Sequence, residues 1–442
     1  MADNISSNSQ LLAQWRNPGE IFSLLLLVGG DVVQKAIARL VGVRVGPSRM
    51  IPAVYLTPVA FSFGWIAYAF TALASVLGDH RLMPPPDTDI QVVNCDNGYM
   101  RNNNSWVLGR MVRDKESRVQ ELEKSFGSIT NHPADSTGNV SLAIDLFVAE
   151  PVKEGGPRTD KTWWSCCFVV LLQQVIAVVP WVIYNDWSIF MITATGTILA
   201  LSAAGLPQWS AEKWAKKVDK YTKNKTMALT RGNGHQYVML ILCPVGAWDL
   251  EAMASGRQRE VSGTNLILSL FSFLWVVLLV TVTGLKEHTW FLVAVGGLGM
   301  LQNVTLAAKK TRPDDFNIKL RPYPPRPTIT GYQSEWEVKK KLNEDHWHKD
   351  RYKEEHARRD YESRLDEGHV RDVMGALIEL EKYHPKAGAA LVPVFFPGSV
   401  DYSPGSLRAG REKVFWAFAE QKSAAISGKS PGSHSIVRVS RP

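Results

Sequence analysis

Residues 163–206, WWSCCFVVLLQQVIAVVPWVIYNDWSIFMITATGTILALSAAGL, decide the fold, because Asp186 is the only charged side chain between Lys161 and Glu212. An apolar helix of about 20 residues crosses roughly 30 Å of hydrocarbon. Trp163 to Tyr184 is therefore long enough for one crossing and Trp187 to Leu206 for the return. Asn185 and Asp186 supply a polar turn, and Trp163, Trp164, Tyr184 and Trp187 put amphipathic rings at headgroup level. A second hairpin runs from Val261 to Ala308, where Lys286 and Glu287 are the only charges and His288 completes the turn.

Averaged over its length the chain looks globular, with 45% apolar residues and a mean hydropathy of -0.10. The average hides the pattern. Apolar residues are gathered into charge-free runs, and the charged 21% is crowded between them, which is a membrane signature. The net charge of +8 sits in lysines beside those runs rather than in a nucleic-acid module, so anionic lipid is the expected counter-charge and nucleic acid is not. Cys166 and Cys167 lie inside a hairpin and Cys95 and Cys243 stand apart, so free thiols are expected. Met1 to Glu20 is polar and is followed by no small-residue cleavage pattern, so it does not read as a signal peptide.

Working outward, residues 1–78 form an amino-terminal membrane part. A helix over 18–42 opens at Asn17-Pro-Gly-Glu20 and carries Asp31, Gln34, Lys35 and Arg39 on one side. That stripe is either an intramembrane charge pair or the polar face of an interfacial helix. A second helix over 50–78 carries no charge between Arg49 and Asp79, with Pro52, Pro58 and Gly64 tolerated inside it. Residues 79–160 change character: Ile90 and Val92 suggest a strand, Leu108, Val112, Val119 and Leu122 recur at helical spacing, and Val140 to Val148 alternate with period two. This β-α-β pattern is too small to stand alone and needs a partner elsewhere in the chain.

After the hairpin at 161–207, residues 208–260 read as a basic, interfacial segment. Lys213, Lys216, Lys217 and Lys220 surround a helix over 210–225 that would lie on anionic lipid. Tyr237 to Trp248 is too short to cross and reads as re-entrant or buried. The hairpin at 261–308 leads into a proline-rich linker at 309–333, in which Arg321, Pro324 and Pro327 fit a pattern that SH3 domains dock; a stiff spacer is the simpler reading. Residues 334–400 form a charged helical region, with Val370, Val373, Met374, Leu377 and Ile378 on one face, and 401–442 read as a disordered tail. The lysines and arginines after each hairpin place those segments, and residues 88–150, in the cytosol.

Three clusters are candidates for chemistry. Arg101, Asn102, Asn103, Asn104, Ser105 and Arg110 surround a strand-to-helix turn that could take an anion, although turn preferences favour an Asn-rich cap. His235, Asp249 and Glu251 could combine an imidazole with carboxylates at the membrane surface. Asp31, Lys35, Gln173, Gln174, Gln302 and Asn303 are the polar residues of the membrane part, either lining a path or joining helices. His346, His348 and His356 are too poorly spaced on a helix for a zinc site, so neither a metal nor a cofactor is expected.

The phrases at Gly98 to Arg110, GYMRNNNSWVLGR, at Met374 to Lys382, MGALIELEK, and at Leu391 to Pro397, LVPVFFP, resemble multi-pass membrane proteins of filamentous fungi for which no activity is known. The resemblance covers most of the chain and implies membrane residence. The expected fold is a mainly α, polytopic membrane protein with about five or six transmembrane helices, a small cytosolic α/β insertion and a helical carboxyl-terminal region. The expected role is non-enzymatic: binding, scaffolding or sensing. A small-solute transporter or channel is the alternative, and a membrane-surface enzyme the third reading.

Overall fold

The computed structural model describes residues 29–45, 54–78, 81–130, 140–152, 159–214, 224–256, 261–285, 287–324, 327–332 and 369–397. In chain order they form α1 (Gly30–Leu40), β1 (Arg44–Val45), β2 (Val54–Tyr55), α2 (Trp65–Gly78), β3 (Gln91–Asn94), β4 (Met100–Asn102), α3 (Trp106–Thr130) and β5 (Val140–Ala149). Then come α4 (Lys161–Tyr184), α5 (Ser188–Ala204), α6 (Pro207–Lys213), β6 (Lys225–Thr230), β7 (Tyr237–Cys243), α7 (Leu250–Ala254), α8 (Thr264–Thr283) and α9 (Thr289–Ala308). The last are β8 (Leu320–Pro322), β9 (Thr328–Tyr332), β10 (His369–Arg371), α10 (Asp372–Tyr383) and α11 (Ala387–Phe395). The chain is mainly helical and divides into two compact units.

The first unit gathers residues 1–85, 153–215 and 257–317. Among the described residues, α4, α8 and α9 are each long and apolar enough to cross a membrane. Alpha5 followed by α6 passes only as a pair bent by 40°, so we assign the apolar arm to α5 alone. The α4 turn is set locally: the Asp160 carboxylate accepts the Trp163 amide at 2.7 Å, and Asn185 ends the helix at a φ of 56°. Trp164, Phe168, Leu171, Val175 and Val182 on α4, and Leu266, Leu270, Phe273 and Val280 on α8, face outward exposed. Inward, α4 packs on α5 and α9, α8 on α2 and α5, and α1 on α2 and α9.

The second unit gathers residues 86–152, 216–256 and 318–442. Its described strands form one eight-stranded mixed sheet in the order β10-β9-β5-β7-β6-β3-β4, with β8 also on β5. Beta5 alternates as expected, and the alternation sorts its two faces. Leu142, Ile144 and Leu146 join Leu377, Leu380 and Leu391 of α10 and α11 in one core. From the opposite face, Asp145 meets Arg118 of α3 and Phe147 lies under Lys115. The β-α-β unit read from residues 90–148 therefore exists, but β6 and β7 are inserted between its two strands.

Several expectations need correction. The helix expected over 50–78 begins only at Trp65. The helix expected over 18–42 is described only as Gly30–Leu40, and its earlier part lies outside the described residues. Of the two readings of Tyr237 to Trp248, re-entrant or buried, the second holds: Tyr237–Cys243 is β7, buried and paired with β5 and β6 inside the sheet. The proline-rich stretch is not a spacer. Beta8 pairs with β5, Tyr323 N donates to Leu146 O, and Leu146 N donates to Pro327 O at 2.7 Å, so the described residues of this stretch are bound along β5, and Pro325 and Arg326 lie outside the described residues. The residues 333–368, with His346, His348 and His356, and the tail at 398–442 lie outside the described residues.

The basic helix expected over 210–225 ends at Lys213, and Lys225 already opens β6. Lys213 does not face lipid. It is 1% exposed, and its Nζ donates to Arg39 O and Val41 O, both at 3.0 Å, at the carboxyl end of α1 where helix carbonyls lack partners. Lys216, Lys217 and Lys220 lie outside the described residues. Burial, reinforced by the neighbouring Arg39 charge and opposed by Asp315, pushes the Lys213 ammonium down to about 7. A base held below its unfolded value binds fewer protons when folded, so stability rises with pH between about 7 and the free-lysine value near 10.4 and is flat below that window. Thermal melts of the detergent-purified chain should show stability rising from pH 7 to 9, on the order of 1 kcal/mol per pH unit. In Lys213→Met the rise should be lost; a variant retaining it would show that another group is responsible.

Candidate functional site

The helical unit contains a segment that no helix should contain. Residues 57–64 are buried and carry no helix, although they lie among helices. Pro58 disfavours helical geometry at Thr57 and brings no N-H of its own. A run without helical hydrogen bonds leaves its carbonyls to be satisfied by side chains.

Helices α4 and α9 and the first residue of α2 supply the partners, with Trp65 Nε1 donating to Ala60 O at 2.9 Å. Trp163 Nε1 donates to Leu56 O at 3.0 Å, and Gln173 Nε2 donates to Phe61 O at 2.7 Å. Leu56 to Phe61 in extended form covers about 17 Å and Trp163 to Gln173 on a helix about 15 Å, so the segment runs along α4 to its midpoint. From α9, Asn303 Nδ2 donates to Ala60 O at 3.3 Å and to Ser62 Oγ at 3.1 Å. Gln173 Nε2 also reaches Val295 O at 2.8 Å, which ties α4, α9 and the segment at one point. Rings close the rest: Phe61 and Trp65 each stack on Trp275 of α8, at 6.1 Å and 5.6 Å.

Close approach is bought with glycine. A methyl group added at Gly196 of α5 would lie 2.6 Å from the Phe61 ring, and one at Gly296 of α9 would lie 2.3 Å from Phe63. At Gly299 it would lie 1.8 Å from Phe61 O and 2.7 Å from Gln173 Nε2. On the two side chains that hold this segment, Gln173 Oε1 and Asn303 Oδ1 are buried without a hydrogen-bond partner. Gln173 and Asn303 are both 0% exposed.

Of the membrane-part candidates, the structure thus brings Gln173 and Asn303 together on one segment. Gln174 instead donates to Thr197 Oγ1 of α5 at 2.9 Å, and Gln302 to Cys166 Sγ at 3.0 Å, both helix-to-helix bonds. Asp31 is exposed in the first turn of α1 and Lys35 is half-buried one turn on, away from the segment's hydrogen bonds.

The α/β candidates are held differently. Arg101 pairs with Glu251 at 3.4 Å, and the buried Arg110 pairs with Asp87 and Asp114 at 2.8 Å and 3.3 Å, so both guanidinium groups already face carboxylates. Asn103 organises the turn, accepting from Ser105 N and donating to Ser105 O, while Asn104 N donates to Ala254 O and Asn102 pairs with Gln91 in the β3-β4 ladder. His235, Asp249 and Glu251 do not meet. His235 lies 3.3 Å from Glu116, past the Thr230 end of β6. Asp249 and Glu251 bind Lys225 at 2.9 Å and 3.1 Å at the other end of that strand, about 16 Å away at strand rise.

Sequence reading missed the segment itself and the three glycines. The signal was present in Pro58 and Gly64 inside an otherwise continuous apolar run. Gly299→Ala should lower the thermal stability of the purified chain by about 3 kcal/mol or prevent folding, since overpacking against backbone has no soft neighbour to yield. Gly297→Ala, where nothing lies within 4 Å, should leave stability unchanged. Equal effects at the two positions would refute this packing.

Comparison with protein-family models, with curated proteins and with solved structures returns no match to this chain.

Proposed function

We propose that this is a multi-pass integral membrane protein whose helical unit lies in the bilayer and whose α/β unit lies in water on one side of it. The observation that carries this reading is the outward face of α4 and α8, where aromatic and aliphatic side chains stand exposed along helices of spanning length. In water such a surface is an aggregation hazard; in lipid it is the expected exterior. The sheet supports it too. Its strands come from chain before the α4-α5 hairpin, between the two hairpins and after the α8-α9 hairpin, so each hairpin must leave and re-enter the same compartment. Lysine and arginine placement makes that compartment the cytosol.

A second reading, that the helical unit binds and passes a small solute, is favoured by the segment at 57–64. Non-helical backbone at the midpoint of a spanning helix, with unpartnered oxygens beside it, is how many transporters build a binding site. The role of the α/β unit is then the binding or sensing one expected from sequence.

After lysis the chain should sediment with membranes, resist an alkaline carbonate wash and come into solution only with detergent. Recovery in the carbonate supernatant would overturn the membrane reading. Asn103, Asn139 and Asn224 all belong to the α/β unit and should stay unglycosylated in a eukaryotic host; a glycan on any of them would reverse the orientation. In reconstituted liposomes, any solute flux should fall with Gln173→Leu and survive Asp31→Asn, and the reverse ranking would remove the path from this segment.

A further inference from the structure

We propose that the amino end of α4 and the carboxyl end of α9 together bind an anionic phospholipid, its phosphate held by Lys161, Lys309 and Lys310 and its acyl chain laid along the exposed stripe of α4. This deepens the membrane reading above and rests on it, since only in a bilayer does that stripe meet lipid.

The two helix ends lie side by side. Lys309 Nζ donates to Thr162 Oγ1 at 3.0 Å, Gln302 Nε2 to Cys166 Sγ at 3.0 Å, and Gln173 Nε2 to Val295 O at 2.8 Å. Residue numbers rise along α4 as they fall along α9, so the two helices run antiparallel in contact, their axes about 8–10 Å apart. Lys161 precedes Thr162 and Lys310 follows Lys309, and all three lysines are exposed. Long flexible stems thus carry three ammonium groups over one junction.

Charge makes the occupant an anion. Around the junction Arg39, Lys161, Lys309, Lys310 and Arg312 outnumber Asp160, Asp314 and Asp315 by two. Two of those acids are engaged within the protein: the Asp160 carboxylate accepts Trp163 N at 2.7 Å, and Asp315 accepts Arg312 N at 3.1 Å and pairs with Arg39 at 3.8 Å. Arg39 also donates to Leu306 O and Lys309 O at 3.4 Å and 2.9 Å, where the last carbonyls of α9 lack helical partners. Arg39 is buried in that role, so the excess positive charge is carried outward by the lysines.

Shape makes that anion a lipid. A soluble phosphate would use the lysines alone, but Lys161 heads an outward stripe of α4 that continues through Trp164, Phe168, Leu171 and Val175 at helical spacing. Those four apolar side chains are 61–65% exposed. Trp164 to Val175 covers about 16 Å of helix, close to the hydrocarbon depth of one leaflet, about half of 30 Å. A positive group at the head of an apolar track of that length matches a phospholipid end to end, and Trp164 lies where interfacial rings anchor. The lipid contact expected at Lys213 is thereby moved to the α4-α9 junction.

The test uses the full chain in detergent micelles, melted while dioleoyl phosphatidylglycerol or dioleoyl phosphatidylcholine is titrated in. The anionic lipid should raise the melting point saturably and the zwitterionic lipid should not, and about 1 M sodium chloride should abolish the difference. Lys161→Gln combined with Lys310→Gln leaves the Lys309 bond to Thr162 in place. That double variant should keep the lipid-free melting point and raise the half-saturating phosphatidylglycerol fraction about thirtyfold, the equivalent of two lost lysines beside a headgroup. Lys382→Gln combined with Lys386→Gln removes the same charge from the α/β unit and should leave the titration unchanged. Equal melting in the two lipids, or equal shifts in the two double variants, would overturn the site and leave the membrane reading standing. The same stabilisation by inorganic phosphate would also overturn it, by making the occupant a soluble anion. A chain that stays in solution without detergent would remove the membrane reading and the site with it.

Discussion

The helical unit depends on the hydrogen bonds that Gln173 and Asn303 make to a stretch of backbone with no helix of its own. Unpaired peptide groups are tolerable at a water surface and prohibitive in an apolar interior. Residues 57–64 can therefore lie among α4, α5 and α9 because the Gln173 amide reaches Phe61 O and the Trp65 indole and Asn303 amide reach Ala60 O. Everything nearby follows from that requirement. Glycines at 196, 296 and 299 let the helices come close enough, and Trp275 covers the rings the segment brings with it. The same two amides cannot satisfy both of their own ends, and the oxygens left over are what make the place chemically distinct.

The sequence disclosed most of the fold wherever physics is local. Charge-free runs of spanning length gave both hairpins, and the alternation at 140–148 gave β5 with its faces correctly sorted. Gln173 and Asn303 were legible as polar residues that must face other helices. What they face was not. The partner is backbone from a run whose composition matches a crossing helix, and hydropathy registers composition while ignoring whether the chain is wound. Pro58 and Gly64 marked the place, but prolines and glycines also occur inside intact membrane helices, so the marks alone did not decide.

The larger misreading concerned β structure, and its cause is burial. Beta7, YVMLILC, is covered on both faces, so it shows a continuous apolar run with no period of two and mimics a short membrane segment. Beta8 hides for the opposite reason: its partner β5 lies far upstream, and proline is allowed there because the strand is short and pairs on one side. The His235, Asp249 and Glu251 grouping failed on β6, whose two ends hold the two halves. A strand separates its two ends by about 16 Å however close they look around a hairpin in sequence.

Interleaving the two units also constrains how the chain can fold. Beta5 stands at the centre of the sheet, and its neighbours β7 and β9 are supplied from beyond the first and the second hairpin respectively. Neither pairing is local, so loop-closure entropy opposes both until something else brings the segments together. In chain order β7 follows α4 and α5, and β9 follows α8 and α9, so the sheet cannot be complete until the second hairpin has been made. The α/β unit is therefore a late-forming element whose central strand remains open at one edge while α8 and α9 are still being made. An unpaired β5, with Leu142, Ile144 and Leu146 along one face, is in the meantime an open apolar edge and an aggregation hazard.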